Sequence, residues 1–129
     1  GFAVKAVNNS LMAVHLWALA KGLSVLKAKN VDLSSALNCI NHSSGSSSIS
    51  SNIMAQRVLS RKFEKTFALD LLQKDIGIAI DLMKDEKLTL DMMNMTQEKF
   101  AQIEKSKAKE IDFSAAVIKL EQQTQLPLF

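Results

Sequence analysis

Apolar side chains recur in a helical rhythm over the first 29 residues. They stand three, four or, once, seven positions apart at Val4, Val7, Leu11, Val14, Ala18, Val25 and Ala28. This spacing predicts a helix from about Phe2 to about Lys29. Midway along it, apolar residues cover nearly the whole circumference: Leu16, Trp17, Leu19 and Leu23. Such a helix is normally buried, so we expect its own domain or a second subunit to cover it, with Val4 and Val7 in the core.

The rest of the chain is predicted to form five more helices. Their expected ranges are 33–40, with Asp32 as N-cap, 52–59, a helix containing 67–79, about 90–107, and a last helix that begins at Asp112. Tyrosine is absent and proline occurs once, which favours helices over a many-stranded fold. We therefore predict an all-α fold of six helices, in one domain over residues 1–129. Pro127 closes a tail that we expect to be loose.

Composition and charge narrow the classes of function. The chain has 129 residues, 47% of them hydrophobic, which is enough to bury one core. The net charge of +3 suits an anionic ligand but is too small to indicate nucleic acid binding. The single Cys39 excludes an internal disulfide and a multi-cysteine metal site. His15 has no second histidine at helical spacing, so we expect no metal.

The location of the protein is predicted from the segments that the sequence lacks. No apolar run approaches the roughly 20 residues that span a bilayer. The N-terminus does not have the basic region and cleavage site of a signal peptide. We expect a soluble protein without a membrane partner, in the cytoplasm, or in the mitochondrial matrix if the source is eukaryotic.

Two stretches carry residues that could form a site. Lys5 and Asn9 are four residues apart, which places them one turn apart on the same helix face. A lysine can transfer a proton and an amide can orient a polar ligand, although solvated surface residues would show the same spacing. The serine-rich segment 41–51 is either a flexible connection or an anion cradle before the next helix. Asp75 falls among apolar neighbours, where a charge is costly unless it is paired.

Three motifs together resemble the C-terminal helical domain of the β-hydroxyacid dehydrogenases. Residues 1–9 read G-x-x-x-K-x-x-N-N. Residues 74–79 read Lys-Asp-(Leu/Ile)-x-(Leu/Ile)-Ala, with Phe67 about two turns earlier. Residues 111–118 are similar to the family's Asp-x-Ser-Ala-Val-Ile, with one extra alanine. The resemblance covers nearly the whole chain and implies the fold of the 6-phosphogluconate dehydrogenase C-terminal domain.

The resemblance assigns roles to individual residues. It implies that Lys5 is the catalytic lysine and that Asn9 is its partner. Lys74 would reach toward the nicotinamide end of the cofactor, Asp75 would brace the site, and Phe67 would line the pocket. For the acid end of the substrate, the resemblance points to three residues of the serine-rich segment: Ser43, Ser44 and Gly45.

The implied activity is NAD- or NADP-dependent oxidation of a short hydroxyacid, or reduction of its semialdehyde, in a homodimer or homotetramer. Family members bind the dinucleotide with an N-terminal Rossmann domain that carries G-x-G-x-x-G. This chain has neither that motif nor an alternating strand-helix pattern. We therefore expect it to be the C-terminal domain of a larger dehydrogenase, inactive by itself, with its own Rossmann domain as partner.

Two other classes of function remain open from the sequence. The first is a non-catalytic helical scaffold that forms a dimer and reuses the same fold. The second, weaker one is a basic nucleic-acid binder, since basic residues cluster between Arg57 and Lys65. Glu64 interrupts this cluster with a charge of the opposite sign. A solvated face explains the cluster better than nucleic acid does.

Overall fold

The computed structural model describes residues 1–125 and Leu128, and this part of the chain contains helices but no strand. The six α-helices are α1 (Phe2–Ala28), α2 (Leu33–Asn41), α3 (Leu69–Asp85), α4 (Asp91–Ala101), α5 (Lys105–Ala108) and α6 (Ala116–Thr124). A π-helix, Ile49–Leu59, follows α2, and a 3₁₀ turn, Phe113–Ala115, precedes α6. The expectation for the tail at Pro127 lies outside the described residues.

The predicted ranges of the first two helices are confirmed. Helix α1 ends one residue before the predicted boundary, and Asp32 caps α2 by accepting a hydrogen bond from the N–H of Ser35 at 2.9 Å. The third helix begins earlier than predicted, at Ile49. Its wider turn is seen where the N–H of Ser60 donates to the carbonyl of Ala55, five residues earlier, at 3.2 Å.

The last three predicted helices need correction. Helix α3 begins at Leu69, so Phe67 lies just before the helix rather than in it. The segment predicted as one helix over 90–107 forms two, α4 and α5, without a glycine or proline to mark the break. Helix α6 begins at Ala116 with Ala115 as its N-cap residue, so the prediction that Asp112 caps the last helix was wrong.

The chain divides into two compact units. The first unit combines residues 1–14 with 65–113, and the second combines 15–64 with the residues from 114 onward. The core of the first includes Ala6, Ala13, Leu69, Leu72, Ile76 and Phe100. The core of the second includes Leu16, Leu23, Met54, Val58, Val117 and Leu120. Each unit buries side chains from its own two stretches of chain.

Helix α1 buries a different face from the one that its apolar pattern indicated. Val4 is 71% exposed, Val7 42% and Leu11 49%, so the prediction that they belong to the core was wrong. The buried residues are small or polar over the first turns: Ala6, Asn9, Ser10 and Ala13. Ser10 can be buried because its hydroxyl donates to the carbonyl of Ala6 at 2.8 Å. Large apolar side chains therefore face outward over these turns.

The length and composition of α1 would also suffice to cross a membrane. It is the one such helix in the part of the chain that the structure describes, and 28% of its apolar stretch is buried. The statement that no stretch approaches the required length therefore does not hold for α1. Core helices of soluble proteins and signal sequences meet the same criterion, so this observation alone is weak evidence for a membrane segment.

Candidate functional site

Helices α1 and α3 bring Asn9 and Asp75 together. The Asn9 Nδ2 donates a hydrogen bond to Asp75 Oδ2 at 2.7 Å, although 66 residues separate the two in the chain. Both side chains are buried, Asn9 at 8% exposure and Asp75 at 6%. Among the described residues Asp75 has no ion-pair partner, and its carboxylate is held by an amide instead. The contact thus joins two of the predicted site residues, although the sequence did not predict that they would bond to each other.

The orientation of the Asn9 amide is fixed from both ends. Its Nδ2 faces the Asp75 carboxylate, and its Oδ1 accepts a hydrogen bond from Asn8 Nδ2 at 3.3 Å. An amide nitrogen carries two protons, so one N–H of Asn9 is left to donate to a ligand. Sequence reasoning assigned no role to Asn8, although the paired asparagines of the first motif were the feature that could have pointed to it.

Lys5 lies one turn before Asn9 on the same side of α1. Its side chain is exposed, and within residues 1–125 and Leu128 its ammonium makes no hydrogen bond or ion pair. Val4 and Val7 do not enclose it, because both are largely exposed. The lysine is therefore available to an incoming ligand without breaking an internal contact.

Lys74 lines a cavity that does not include the Asn9–Asp75 pair. The cavity measures about 660 Å³ and lies between α3, α4 and α5 in the first unit. Consecutive residues of a helix point about 100° apart, so Lys74 and Asp75 address different surroundings. Lys105 and Lys109 line the same cavity, whereas Lys5 and Asn9 do not.

A single glutamine ties α3 to the end of α4 beside this cavity. Gln73 Nε2 donates to the carbonyls of Phe100 at 2.8 Å and Ile103 at 3.0 Å. The last carbonyls of a helix have no partner within the helix. Gln73 therefore satisfies two carbonyls where α4 ends, and it fixes one wall of the cavity that Lys74 lines.

Phe67 lies in a bend before α3, next to Ala68, which forms an antiparallel bridge with Asp112. The N–H groups of Thr66 and Phe67 both donate to Asp112 Oδ1, at 3.1 Å each. The Phe67 carbonyl accepts from the N–H of Phe113 at 2.9 Å, and the two phenylalanine rings meet edge to face at 6.0 Å between centroids. Sequence reasoning placed Asp112 at a helix start and missed these contacts.

The three residues predicted to bind the substrate's acid group, Ser43, Ser44 and Gly45, belong to the second unit. All are exposed and follow the end of α2. The Ser43 hydroxyl donates to the carbonyl of Cys39 at 2.7 Å, so it would have to release that bond to donate to a carboxylate. Further along, Ser47 and Ser50 bond each other's N–H groups with their hydroxyls, which organises the start of the π-helix.

Metal ligands do not cluster in the described part of the chain. No three side chains among its histidines, cysteines, aspartates and glutamates lie close enough to hold a metal ion. The groups that this arrangement offers for chemistry are the amine of Lys5, the amide of Asn9 and the carboxylate of Asp75.

Comparison with known proteins gives consistent matches. A family model described as NAD-binding of NADP-dependent 3-hydroxyisobutyrate dehydrogenase matches residues 1–120. The 2-(hydroxymethyl)glutarate dehydrogenase of Eubacterium barkeri is 32% identical over 100 residues, which are 78% of this chain and 33% of that protein. The L-threonate dehydrogenase of Cupriavidus necator is 28% identical with the same coverage. The chain thus spans about a third of the length of these curated relatives.

Two solved structures share the fold. The 3-hydroxyisobutyrate dehydrogenase of Salmonella typhimurium matches with a TM-score of 0.75 and 24% identity, over 91% of this chain and 40% of that one. The 3-hydroxyisobutyrate dehydrogenase of Mycobacterium tuberculosis, solved with L-serine, matches with a TM-score of 0.78 and 21% identity, over 92% and 42%. These likenesses confirm the predicted all-α C-terminal fold.

Proposed function

Because this chain belongs to the family of NADP-dependent 3-hydroxyisobutyrate dehydrogenases, we propose that it forms part of an NAD(P)-dependent hydroxyacid dehydrogenase. It would supply the proton-transfer lysine, Lys5, and part of the substrate pocket. The observation that carries this proposal is the buried hydrogen bond from Asn9 to Asp75, one helical turn from Lys5. The substrate would be a short hydroxyacid, in keeping with the hydroxyacids in the names of the two curated relatives.

The residues of this chain would handle the proton. During oxidation the Lys5 amine takes the proton from the substrate hydroxyl, and during reduction its ammonium returns one to the carbonyl oxygen. The free N–H of Asn9 donates to the same oxygen or its neighbour, in an orientation that Asp75 holds. A nicotinamide cofactor supplies the hydride chemistry when bound. Lys74 is an exposed cation on a cavity wall, which fits a contact to an anionic dinucleotide.

The acid end of the substrate would meet the loop after α2. Exposed backbone and hydroxyl groups at Ser43, Ser44 and Gly45 suit a carboxylate, because its charge needs several donors. Phe67 would cover the carbon chain of the substrate. The remaining partner is a Rossmann domain that binds the dinucleotide, and without it we expect this chain to show no turnover.

The decisive experiment substitutes Lys5 in a protein that joins this chain to its dinucleotide-binding domain. We expect Lys5→Ala to lower kcat by roughly 10²- to 10⁴-fold, because general acid–base catalysis is lost. Lys5→Arg should also be impaired, since a guanidinium stays protonated and cannot act as a base. The matched control is Lys21→Ala, an exposed lysine on the same helix. Full activity of Lys5→Arg would refute the role of Lys5.

A homodimer is the assembly that α1 supports. Val4, Val7 and Leu11 repeat at alternating steps of three and four residues on an exposed face, as in a helix-pairing seam. We expect Val7→Glu to yield monomers in analytical ultracentrifugation, whereas Lys21→Glu, also exposed on α1 but ten residues beyond Leu11, should not. This seam supports the alternative function, a non-catalytic dimerisation scaffold, equally well. Under that alternative, Lys5→Ala would change neither the oligomeric state nor the activity.

A further inference from the structure

Asp112 is a buried carboxylate for which the proposed mechanism has no use. Its side chain is 1% exposed, and its Oδ1 accepts hydrogen bonds from two consecutive backbone N–H groups, those of Thr66 and Phe67. Burial of a carboxylate is costly unless donors replace the lost water. The two N–H groups are such donors, and they lie more than 40 residues away in the chain. Asp112 therefore holds this segment.

The main chain around Asp112 holds the same segment from both sides. The N–H of Phe113 donates to the Phe67 carbonyl at 2.9 Å, and the N–H of Leu69 donates to the carbonyl of Ile111 at 3.0 Å. Together with the side-chain contacts of Asp112, these bonds leave Phe67 with both its N–H and its carbonyl occupied. The Phe113 ring, at 63° to the Phe67 ring, packs against it as well. The direction in which the Phe67 side chain leaves the backbone is thus fixed by residues 111–113.

The hydrogen bonds that join residues 66–69 to residues 111–113 also affect the start of α3. The helix begins at Leu69, and its N-cap residue, Ala68, has no side chain that could cap it. A carboxylate held just before a helix N-terminus is favoured by the partial positive charge there. Asp112 supplies that negative charge from a distant part of the chain.

We propose that Asp112 is a positioning residue for the substrate pocket, which acts by holding the Phe67 side chain where it covers the carbon chain of the hydroxyacid. This inference rests on the proposed function, in which Phe67 lines that pocket. Asp112 itself does not touch the substrate. Its effect on turnover therefore passes through Phe67, and a variant without Phe67 should no longer respond to Asp112.

A double-mutant cycle tests this dependence in the complete dehydrogenase. We expect Asp112→Ala to raise KM for the hydroxyacid roughly tenfold with a smaller change in kcat, because a misplaced pocket wall weakens substrate binding. Phe67→Ala should raise KM by a similar factor. The double variant should be no worse than Phe67→Ala, because coupled residues do not act additively. Asp112→Asn retains an oxygen acceptor and should restore KM to near the value of the unchanged enzyme.

Hydrogen exchange gives a second readout that needs no substrate. The amides of Thr66 and Phe67 should exchange slowly in the unchanged protein and in Asp112→Asn, and faster in Asp112→Ala. The matched control is Glu121→Ala, which removes another buried carboxylate, at 6% exposure, from the second unit. It should lower the melting temperature and leave the amides of Thr66 and Phe67 protected. Any effect of Glu121→Ala on KM should multiply with the effect of Phe67→Ala, because the two residues act independently. Asp112→Ser replaces Asp112→Ala in the cycle if the alanine variant does not fold.

Two results would overturn the inference. In the first, the increase in KM of the double variant equals the product of the increases caused by Asp112→Ala and Phe67→Ala separately. In the other, Phe67→Ala leaves KM unchanged, which would remove the residue through which Asp112 is said to act. Neither result bears on proton transfer by Lys5, which is judged from kcat of Lys5→Ala. The second result would also remove Phe67 from the proposed pocket, but it would leave the proposed dehydrogenase activity standing.

Discussion

Two buried carboxylates, one in each unit, are equally hidden from water but differently held. Asp75 and Glu121 are both 6% exposed. Glu121 accepts hydrogen bonds with both oxygens from Nη1 of Arg61, at 3.0 Å each, and Oε2 also accepts from the N–H of Leu128 at 2.8 Å. Asp75 accepts one hydrogen bond, from the neutral amide of Asn9. Glu121 is therefore paired with a cation of its own unit, whereas Asp75 has no cationic partner among the described residues.

The difference separates a structural carboxylate from a candidate functional one. A buried charge that has a cation and several donors costs little to keep. A buried charge held by an amide alone lowers stability, and such groups occur preferentially at functional sites. We infer that Asp75 is kept for what it does to Asn9, whereas Glu121 is kept for what it does to the fold.

The backbone near Arg61 shows how much its contacts matter to the second unit. Arg61 and Phe63 both adopt positive φ, at 62° and 45°, a region that non-glycine residues rarely occupy. The Arg61 guanidinium also lies 5.0 Å from the centre of the Phe63 ring. The ion pair with Glu121 and this ring contact hold the strained turn in place.

The largest effect on stability is expected when Glu121 loses its cationic partner, Arg61. Arg61→Met should lower the free energy of unfolding by about 3 kcal/mol, because it leaves Glu121 buried without a counter-charge. We take the low end of the usual range, since the Arg61 side chain is 31% exposed. Urea unfolding measures the change. Lys62→Met, an exposed neighbour, serves as control and should stay within about 0.5 kcal/mol.

A second carboxylate beside Asp75 should have the next largest effect. Asn9→Asp should destabilise the protein by about 2 kcal/mol at neutral pH, because two carboxylates at hydrogen-bond distance cannot both ionise without repulsion. Urea unfolding at neutral pH measures the change, with Asn8→Asp, at an exposed position, as the matched variant. Equal losses of stability in the two variants would argue against repulsion between residue 9 and Asp75.

Neutralising the two carboxylates separately should give different results. Glu121→Gln should cost about 1.5 kcal/mol, because it weakens hydrogen bonds to a charged partner. Asp75→Asn should change the free energy of unfolding by less than about 0.5 kcal/mol, or raise it, because its charge has no cation to lose. Asp75→Asn should nevertheless reduce dehydrogenase activity. Equal losses of stability in the two variants would contradict the distinction between a structural Glu121 and a functional Asp75.

The smallest effect concerns a carboxylate that is exposed rather than buried. The N–H and then the hydroxyl of Ser35 lower the pKa of Asp32 from its ordinary value of 3.8. Its stabilising contribution is therefore complete above pH 3.8 and is lost as the pH falls through the lower, folded-state pKa. Asp32→Ala should lower the melting temperature slightly at neutral pH, and the gap should close in acid. Asp32→Asn, an alternative cap, should not show this pH dependence.

Local features of the chain predicted the helices well. Asp32 as a cap and the long apolar period of α1 depend on neighbouring residues, and both predictions are confirmed. The break between α4 and α5 was missed because no glycine or proline marks it. The π-helix was missed because its wider hydrogen bonding leaves no distinct residue pattern over 49–59.

The site was harder to predict because its contacts join distant parts of the chain. Lys5, Asn9 and Asp75 could be selected as candidates from motifs, but the bond from Asn9 to Asp75 spans 66 residues and has no local marker. The outward face of α1 was misjudged because the helix is apolar all round, so periodicity could not choose a side. The contacts of Asp112 were missed because the same residue type is also typical of a helix start.

The way the two units share the chain has a consequence for how the protein is made. The first unit needs residues 1–14 together with 65–113, and the second needs residues beyond 114. On a ribosome, which adds about 5–20 residues each second, Asn9 waits for several seconds before Asp75 exists. Glu121 can join Arg61 only after residue 121 has been synthesised. The apolar residues of α1 are therefore uncovered during part of translation, and this stretch is where we expect chaperones to bind a nascent chain.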